Sequence, residues 1–313
     1  MNPSGYVFGI GAANADISGR SRKPILMRDS NPGVMTSSAG GVTRNVCDNL
    51  ARLGADVRLI SAIGDDVYGD MIRRECADAG IDLTHAYTAE GHASSTYMSI
   101  LDDSGDMLVA LSDMSILKEL PVSYLEEKVD IIRNAELVTC DPGLPEQTLA
   151  AVLDLCEGHV PVYVDSVSTA YARVLTPHIG RCDTAKPNRM ELEILSGIST
   201  ESKSGLYKAC ETVLAKGLRR VIVSLGKDGC LYMDSAGTCM ERKLRPVDHM
   251  ANATGGGDAF MAAVIYGTLQ NFPLEKMLDY ALAAGIAAIS HKKTINPDMC
   301  VSLIEDILKE YRL

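Results

Sequence analysis

The chain has 313 residues, 46% apolar and 23% charged, and its 30 basic against 41 acidic side chains leave a formal charge of −11. That apolar content suits a folded protein with a sizeable core and excludes disorder. The acidic excess excludes a general DNA or RNA binder, which needs clustered lysine and arginine against the phosphates.

In chain order, a Val- and Ile-type run predicts a strand over 6–10, followed by a polar, Ser-, Pro- and Gly-rich stretch over 15–38. That stretch is too long for an ordinary strand-to-helix loop. A helix over 44–53, a strand over 57–62 and a helix over 69–79 come next. Residues 94–112 predict a hairpin, with 95–101 and 106–111 flanking the turn Asp102-Asp103-Ser104-Gly105. Helices over 122–133, 146–156 and 202–216 then alternate with strands over 137–139, 162–165, 220–224 and 230–234. Three more helices over 258–269, 274–289 and 301–311 close the chain. Strands separated by helices predict a mainly parallel sheet covered on both faces, an α/β class with α/β/α layers. The two segments that break the rhythm predict a small β-sheet over one edge of the main body, either a lid or a decoration.

The first ten residues do not read as a secretion signal, and no apolar run reaches the ~18 residues of a membrane helix. The nine cysteines include no C-x-x-C pair and the six histidines no metal-ligand spacing. A reducing, cytoplasmic setting without structural zinc is expected. Cys47, Cys76, Cys156 and Cys210 fall inside predicted helices, where a free thiol acts as a small hydrophobe.

Four motifs could carry chemistry. Thr254-Gly255-Gly256-Gly257-Asp258 opens an apolar helix. Its glycines let backbone N–H groups converge on a phosphate at the helix N-terminus. Asp258 then either accepts a hydroxyl proton or caps the helix. Ser224-Leu225-Gly226-Lys227-Asp228-Gly229 follows a strand and suits either nucleotide phosphates or a plain hairpin turn. In Lys186-Pro187-Asn188-Arg189-Met190-Glu191, Asn188 and Glu191 share one face of a first helical turn. They either organise waters around Mg²⁺ or form a capping box. Gly9-Ile10-Gly11-Ala12-Ala13-Asn14 lacks the third glycine of a dinucleotide-binding loop, and no helix follows it. Asn14 and Asp16 are instead placed to hold a polyhydroxylated ligand, with Gly41 allowing its close approach and Asn45 facing the same pocket.

Taken in order, these motifs resemble the ribokinase-like family of carbohydrate and nucleoside kinases, over nearly the whole chain. The resemblance implies one ribokinase-like domain over 1–313, with a lid from about 15–38 and 94–112, and transfer of the ATP γ-phosphoryl to a hydroxyl. It implies Asp258 as general base, with Gly255, Gly256 and Gly257 holding the phosphoryl. Asn188 and Glu191 would hold Mg²⁺ through water, and Ser224, Gly226 and Gly229 would contact ATP. Asn14, Asp16, Gly41 and Asn45 would bind the acceptor's ribose, with Ser30, Asn31 and Thr96 reading its base. Residues 27–33, 40–45 and 112–114, with Asn252 at the head of the last motif, are most similar to the pseudouridine-phosphorylating branch. The implied acceptor is then the 5′-hydroxyl of the free nucleoside, with no nucleic acid or membrane partner and a homodimer formed through the lid. Other nucleoside and sugar kinases, or a catalytically silent nucleoside binder, are the alternatives. Two departures stand out: Asn252 replaces the Asp that helps bind a monovalent cation in many relatives, and Leu282 replaces an Asn at the adenine helix.

Overall fold

The computed structural model describes residues 5–245 and 254–311. A nine-stranded sheet runs in the spatial order Cys239–Arg242, Cys230–Asp234, Arg220–Ser224, Thr184–Lys186, Val162–Asp165, Leu137–Cys140, Tyr6–Ile10, Asp56–Ile60, Ile81–Asp82. It is parallel from Ile81–Asp82 through Arg220–Ser224, and the last two strands are antiparallel. Strands buried on both faces explain their near-continuous apolar runs. One core lies on the side of the helices Val42–Arg52, Gly256–Leu269 and Leu274–Ile289, and a second on the side of Glu146–Cys156 and Lys203–Ala215. The α/β/α layering is as expected.

The predicted elements mostly fall where expected, with Tyr6–Ile10, Val162–Asp165, Glu146–Cys156 and Leu274–Ile289 matching to the residue. The helix expected over 122–133 is two short ones, Val122–Glu126 and Val129–Arg133, because the Lys128 amide turns back to the Leu125 carbonyl at 3.0 Å. The stretch over 15–38 is a long hairpin, Asn14–Ser21 paired with Gly33–Gly40. It joins Thr96–Leu101 and Met107–Asp113 in a separate four-stranded sheet. Among the described residues no helix is long and apolar enough to cross a membrane. The cysteines are free thiols, seven of them buried.

Register gives this small sheet two different faces. Ser38, Asp16, Tyr97 and Ser112 form one cross-strand row, and Thr36, Ser18, Ser99 and Ala110 the next on the same face. The opposite face carries Ile17, Met35, Met98, Ile100, Val109 and Leu111 in equivalent rows. Ile17 is buried, but Met35 and Leu111 are 63% and 71% exposed, so the described residues leave much of this apolar face open.

Candidate active site

The functional side chains gather at the carboxyl ends of the parallel strands, where open α/β sheets place their ligands. Past Tyr6–Ile10 the chain turns at Gly11. A Cβ there would lie 2.2 Å from Thr43 Oγ1 and 2.6 Å from Asp141 Oδ2, so only glycine fits. The buried Asp141 carboxylate accepts from the amides of Ala12 and Thr43, both at 3.2 Å, and from Thr43 Oγ1 at 2.5 Å. It ties the strand end to the start of Val42–Arg52.

Gly41 caps that helix with φ 98°, and a Cβ would lie 2.4 Å from the Ala12 carbonyl oxygen, so its glycine is demanded by the backbone. Gly40 is the position that makes room for a side chain. A Cβ there would sit 2.3 Å from Asp16 Oδ2. Asp16 also accepts from Asn14 Nδ2 at 2.6 Å. Burial raises the Asp16 carboxyl above its usual range, against the pull of Asn14 and Arg44.

One turn into the same helix, Asn45 Nδ2 donates to Asp258 Oδ2 at 2.9 Å. Asp258 sits in the first turn of Gly256–Leu269 and is partly open to solvent. Burial pushes its carboxyl up to about 7, Asp165 and Asp141 add to the rise, and Asn45 and Lys186 oppose it. A carboxyl poised near neutrality suits a general base. Gly255, in left-handed conformation at φ 83°, turns the chain into the helix, and a Cβ on it would lie 2.0 Å from the Thr294 carbonyl oxygen. A Cβ on Gly256 would meet Ile289, and one on Gly257 would lie 3.2 Å from Lys186 Nζ. The three glycines therefore let a helix N-terminus approach both a neighbouring helix and a buried ammonium.

That ammonium was not among the residues expected at the site. Lys186 and Asp165 face each other in the parallel register and pair at 2.9 Å, each side chain under 10% exposed. Although burial pulls the other way, Asp165 holds the Lys186 ammonium above its usual range. A lysine ending a fully buried strand was the available signal, since burying an ammonium requires a carboxylate partner. A positive charge and a helix N-terminus converging beside a base can receive a phosphoryl group.

Just past Thr184–Lys186, Asn188 and Glu191 form the capping box of the two readings the sequence offered. Glu191 N donates to Asn188 Oδ1 at 3.0 Å, and both Glu191 oxygens accept from Asn188, at 2.9 and 2.7 Å. Ser224 is bridged to Asn188, and its amide donates to the Pro187 carbonyl at 3.0 Å. Gly226 and Gly229 belong to a tight turn joining antiparallel strands. Gly229 is fixed by packing, a Cβ lying 2.0 Å from the Arg242 carbonyl oxygen, whereas Gly226 opens onto free space at φ 59°. Leu282 is half-buried in Leu274–Ile289. Asn252 lies outside the described residues.

Three expected acceptor residues are placed elsewhere. Ser30 and Asn31 lie in the loop beyond Ser21 and Gly33, one full eight-residue strand from Asn14 and Gly40. The Asn31 amide is spent on that loop, bonding the Leu26 amide and carbonyl and the Asp29 carbonyl. Thr96 pairs with Ala15 and lies on the apolar face, opposite to Asp16, and its neighbour Tyr97 takes the Asp16 side. The structure thus pairs Asn14 with Asp16 and Asn45 with Asp258, and it joins Asn188, Glu191 and Ser224. Lys186, beside Gly257, is acted on by both Asp258 and Glu191.

A model of the pfkB family carbohydrate kinases matches residues 5–299. The chain is 33% identical to the pseudouridine kinase of Escherichia coli K12, over 99% of this chain and 98% of that protein. It is 27% identical to the guanosine-inosine kinase of Exiguobacterium acetylicum, over 94% and 98%. Among solved structures, Arabidopsis thaliana ribokinase complexed with ribose and ATP superposes with a TM-score of 0.89 at 23% identity, over 99% of each chain. The chain belongs to the pfkB family of carbohydrate kinases, phosphotransferases that act on a hydroxyl group.

Proposed function

We propose that the protein transfers the γ-phosphoryl group of ATP to the 5′-hydroxyl of pseudouridine. The observation that carries this reading is the contact of Asn45 with Asp258, which joins the acceptor-binding helix to the base. The ribose hydroxyls would be held by Asp16 and Asn14, presenting the 5′-hydroxyl to Asp258. Asp258 would take the proton as that oxygen attacks the γ-phosphorus and the bond to the departing ADP oxygen breaks. Backbone amides at Gly255, Gly256 and Gly257, with the Lys186 ammonium, would neutralise the transferring group, the dominant requirement of phosphoryl transfer.

Among the described residues no three His, Cys, Asp or Glu side chains are grouped to cage a metal. Mg²⁺ usually keeps several waters and leans on substrate phosphates, so no such cage is needed. Both Glu191 oxygens already accept from Asn188, which fits an ion held by Asn188 and Glu191 through water. Bound there, Mg²⁺ would supply charge neutralisation on the phosphates.

The nucleoside acceptor is supported by the 33%-identical pseudouridine kinase and by the hydroxyl rows around Asp16 on the small sheet. That sheet acts as a lid in this reading, and its exposed apolar face would pair with the same face of a second copy. A cytoplasmic setting and a free nucleoside, rather than RNA, complete the proposal. The test is acceptor-dependent ADP release with Mg-ATP across pseudouridine, uridine, inosine, adenosine and ribose. Pseudouridine should give the highest kcat/KM; a higher value for uridine or ribose would remove the assignment.

A further inference from the structure

Arg44 is 2% exposed and carries a charge into the wall between the acceptor helix and the lid. Its Nη2 pairs with Asp48 Oδ2 at 2.7 Å. Its Nη1 donates to the Ala39 carbonyl and to Asn45 Oδ1, each at 3.3 Å, while its Nε is buried without a hydrogen-bond partner. An arginine serving only as a staple needs Asp48 and Ala39. The third contact reaches the residue that touches the base.

We infer that Arg44 is a positioning residue for phosphoryl transfer: by donating to Asn45 Oδ1, it fixes that amide with its nitrogen toward Asp258. This rests on reading Asp258 as the base. An asparagine amide has two faces of similar shape and opposite polarity. With the nitrogen inward it donates to the Asp258 carboxylate; turned over, it sets its oxygen against that carboxylate. Asn49 donates to the Asn45 backbone carbonyl at 2.9 Å, so the described bonds on the side-chain amide are those to Arg44 and Asp258. Charged groups acting on Arg44 are Asp48 and Glu75, with the Cys76 thiol beside it, and Arg44 in turn acts on Asp16. Those acting on Asp258 are Asp165, Lys186 and Asp141. None of these orients the Asn45 amide. Arg44 does, and with Asn45 it couples the lid strand at Ala39 to the base.

The test compares the pH dependence of kcat/KM for the acceptor, at saturating Mg-ATP, in wild type, R44K, N45A and R44K/N45A. Losing the hydrogen bond to the ionised base should move the ascending midpoint up by about one pH unit in R44K. In the N45A background, R44K should move it no further. A wild-type midpoint in R44K, or shifts that add in the double variant, would overturn the proposal. If R44K does not fold, R44M/D48N removes the cation without stranding a buried carboxylate and is read the same way. D258N separates the two levels. Near-normal turnover there removes the base itself, whereas an inactive D258N with an unmoved R44K midpoint removes only the role of Arg44.

Discussion

Lys186 and Asp165, adjacent at the ends of neighbouring parallel strands, form a buried ion pair at 2.9 Å directly beneath the glycine turn that precedes Asp258. A buried pair of this kind adds little net stability, because desolvation offsets the attraction. In the proposed transfer its position against Gly257 would serve charge stabilisation. Lys186→Met should reduce kcat by about 100-fold. It should also cost about 3–5 kcal/mol of stability by leaving Asp165 unpaired, measured by denaturant unfolding. Adding Asp165→Asn should restore stability and leave turnover low. Recovery of turnover in that double variant would make the pair purely structural.

In the proposed reaction the Asp16 face of the small sheet meets the acceptor and the opposite face does not. Ser99→Ala, on the Asp16 face, should raise the acceptor KM by about tenfold, the value of one hydrogen bond to a bound ligand. Thr96→Val, on the opposite face, should leave it within about twofold. The reverse order of effects would mean that the strand meets its ligand in the other register.

Much of this architecture was legible in the sequence, because the main-sheet strands are buried on both faces and read as apolar runs between helical patterns. The strand Asn14–Ser21 was not, since one face is polar and its partner Gly33–Gly40 is exposed along most of its length. Thr96 was placed at the site and Tyr97 was not because alternation fixes which residues share a face, while only pairing with Asp16 fixes which face is which. Ser30 and Asn31 lie a full strand away from Asn14, a distance the sequence hid because hairpin length was invisible in a Ser- and Gly-rich stretch. The contacts of Asn45 with Asp258 and of Lys186 with Asp165 depend on strand order, which no local spacing encodes.

Asp258 also ties stability to pH. Burial pushes its folded carboxyl up to about 7 from an ordinary 3.8, so between those values the folded state keeps a proton that the unfolded chain has lost. Its contribution to stability is therefore fully present below about 3.8 and falls away as pH rises through about 7. Asp258→Asn should raise the melting temperature by a few degrees at pH 8, and the gain should shrink toward pH 4. Over the same range wild-type kcat/KM should climb with a midpoint near about 7. A gain that is constant with pH would show that Asp258 does not titrate in this window.

The most direct measurement is the turnover of Asp258→Asn with pseudouridine and Mg-ATP, read alongside pseudouridine binding by calorimetry. Loss of kcat by about 10³-fold or more, with the nucleoside still bound within a few-fold of wild-type affinity, is the result expected of a general base in an otherwise intact site. Turnover within about tenfold of wild type would contradict it, and with it the assignment of the glycine turn as the place where the phosphoryl group is transferred.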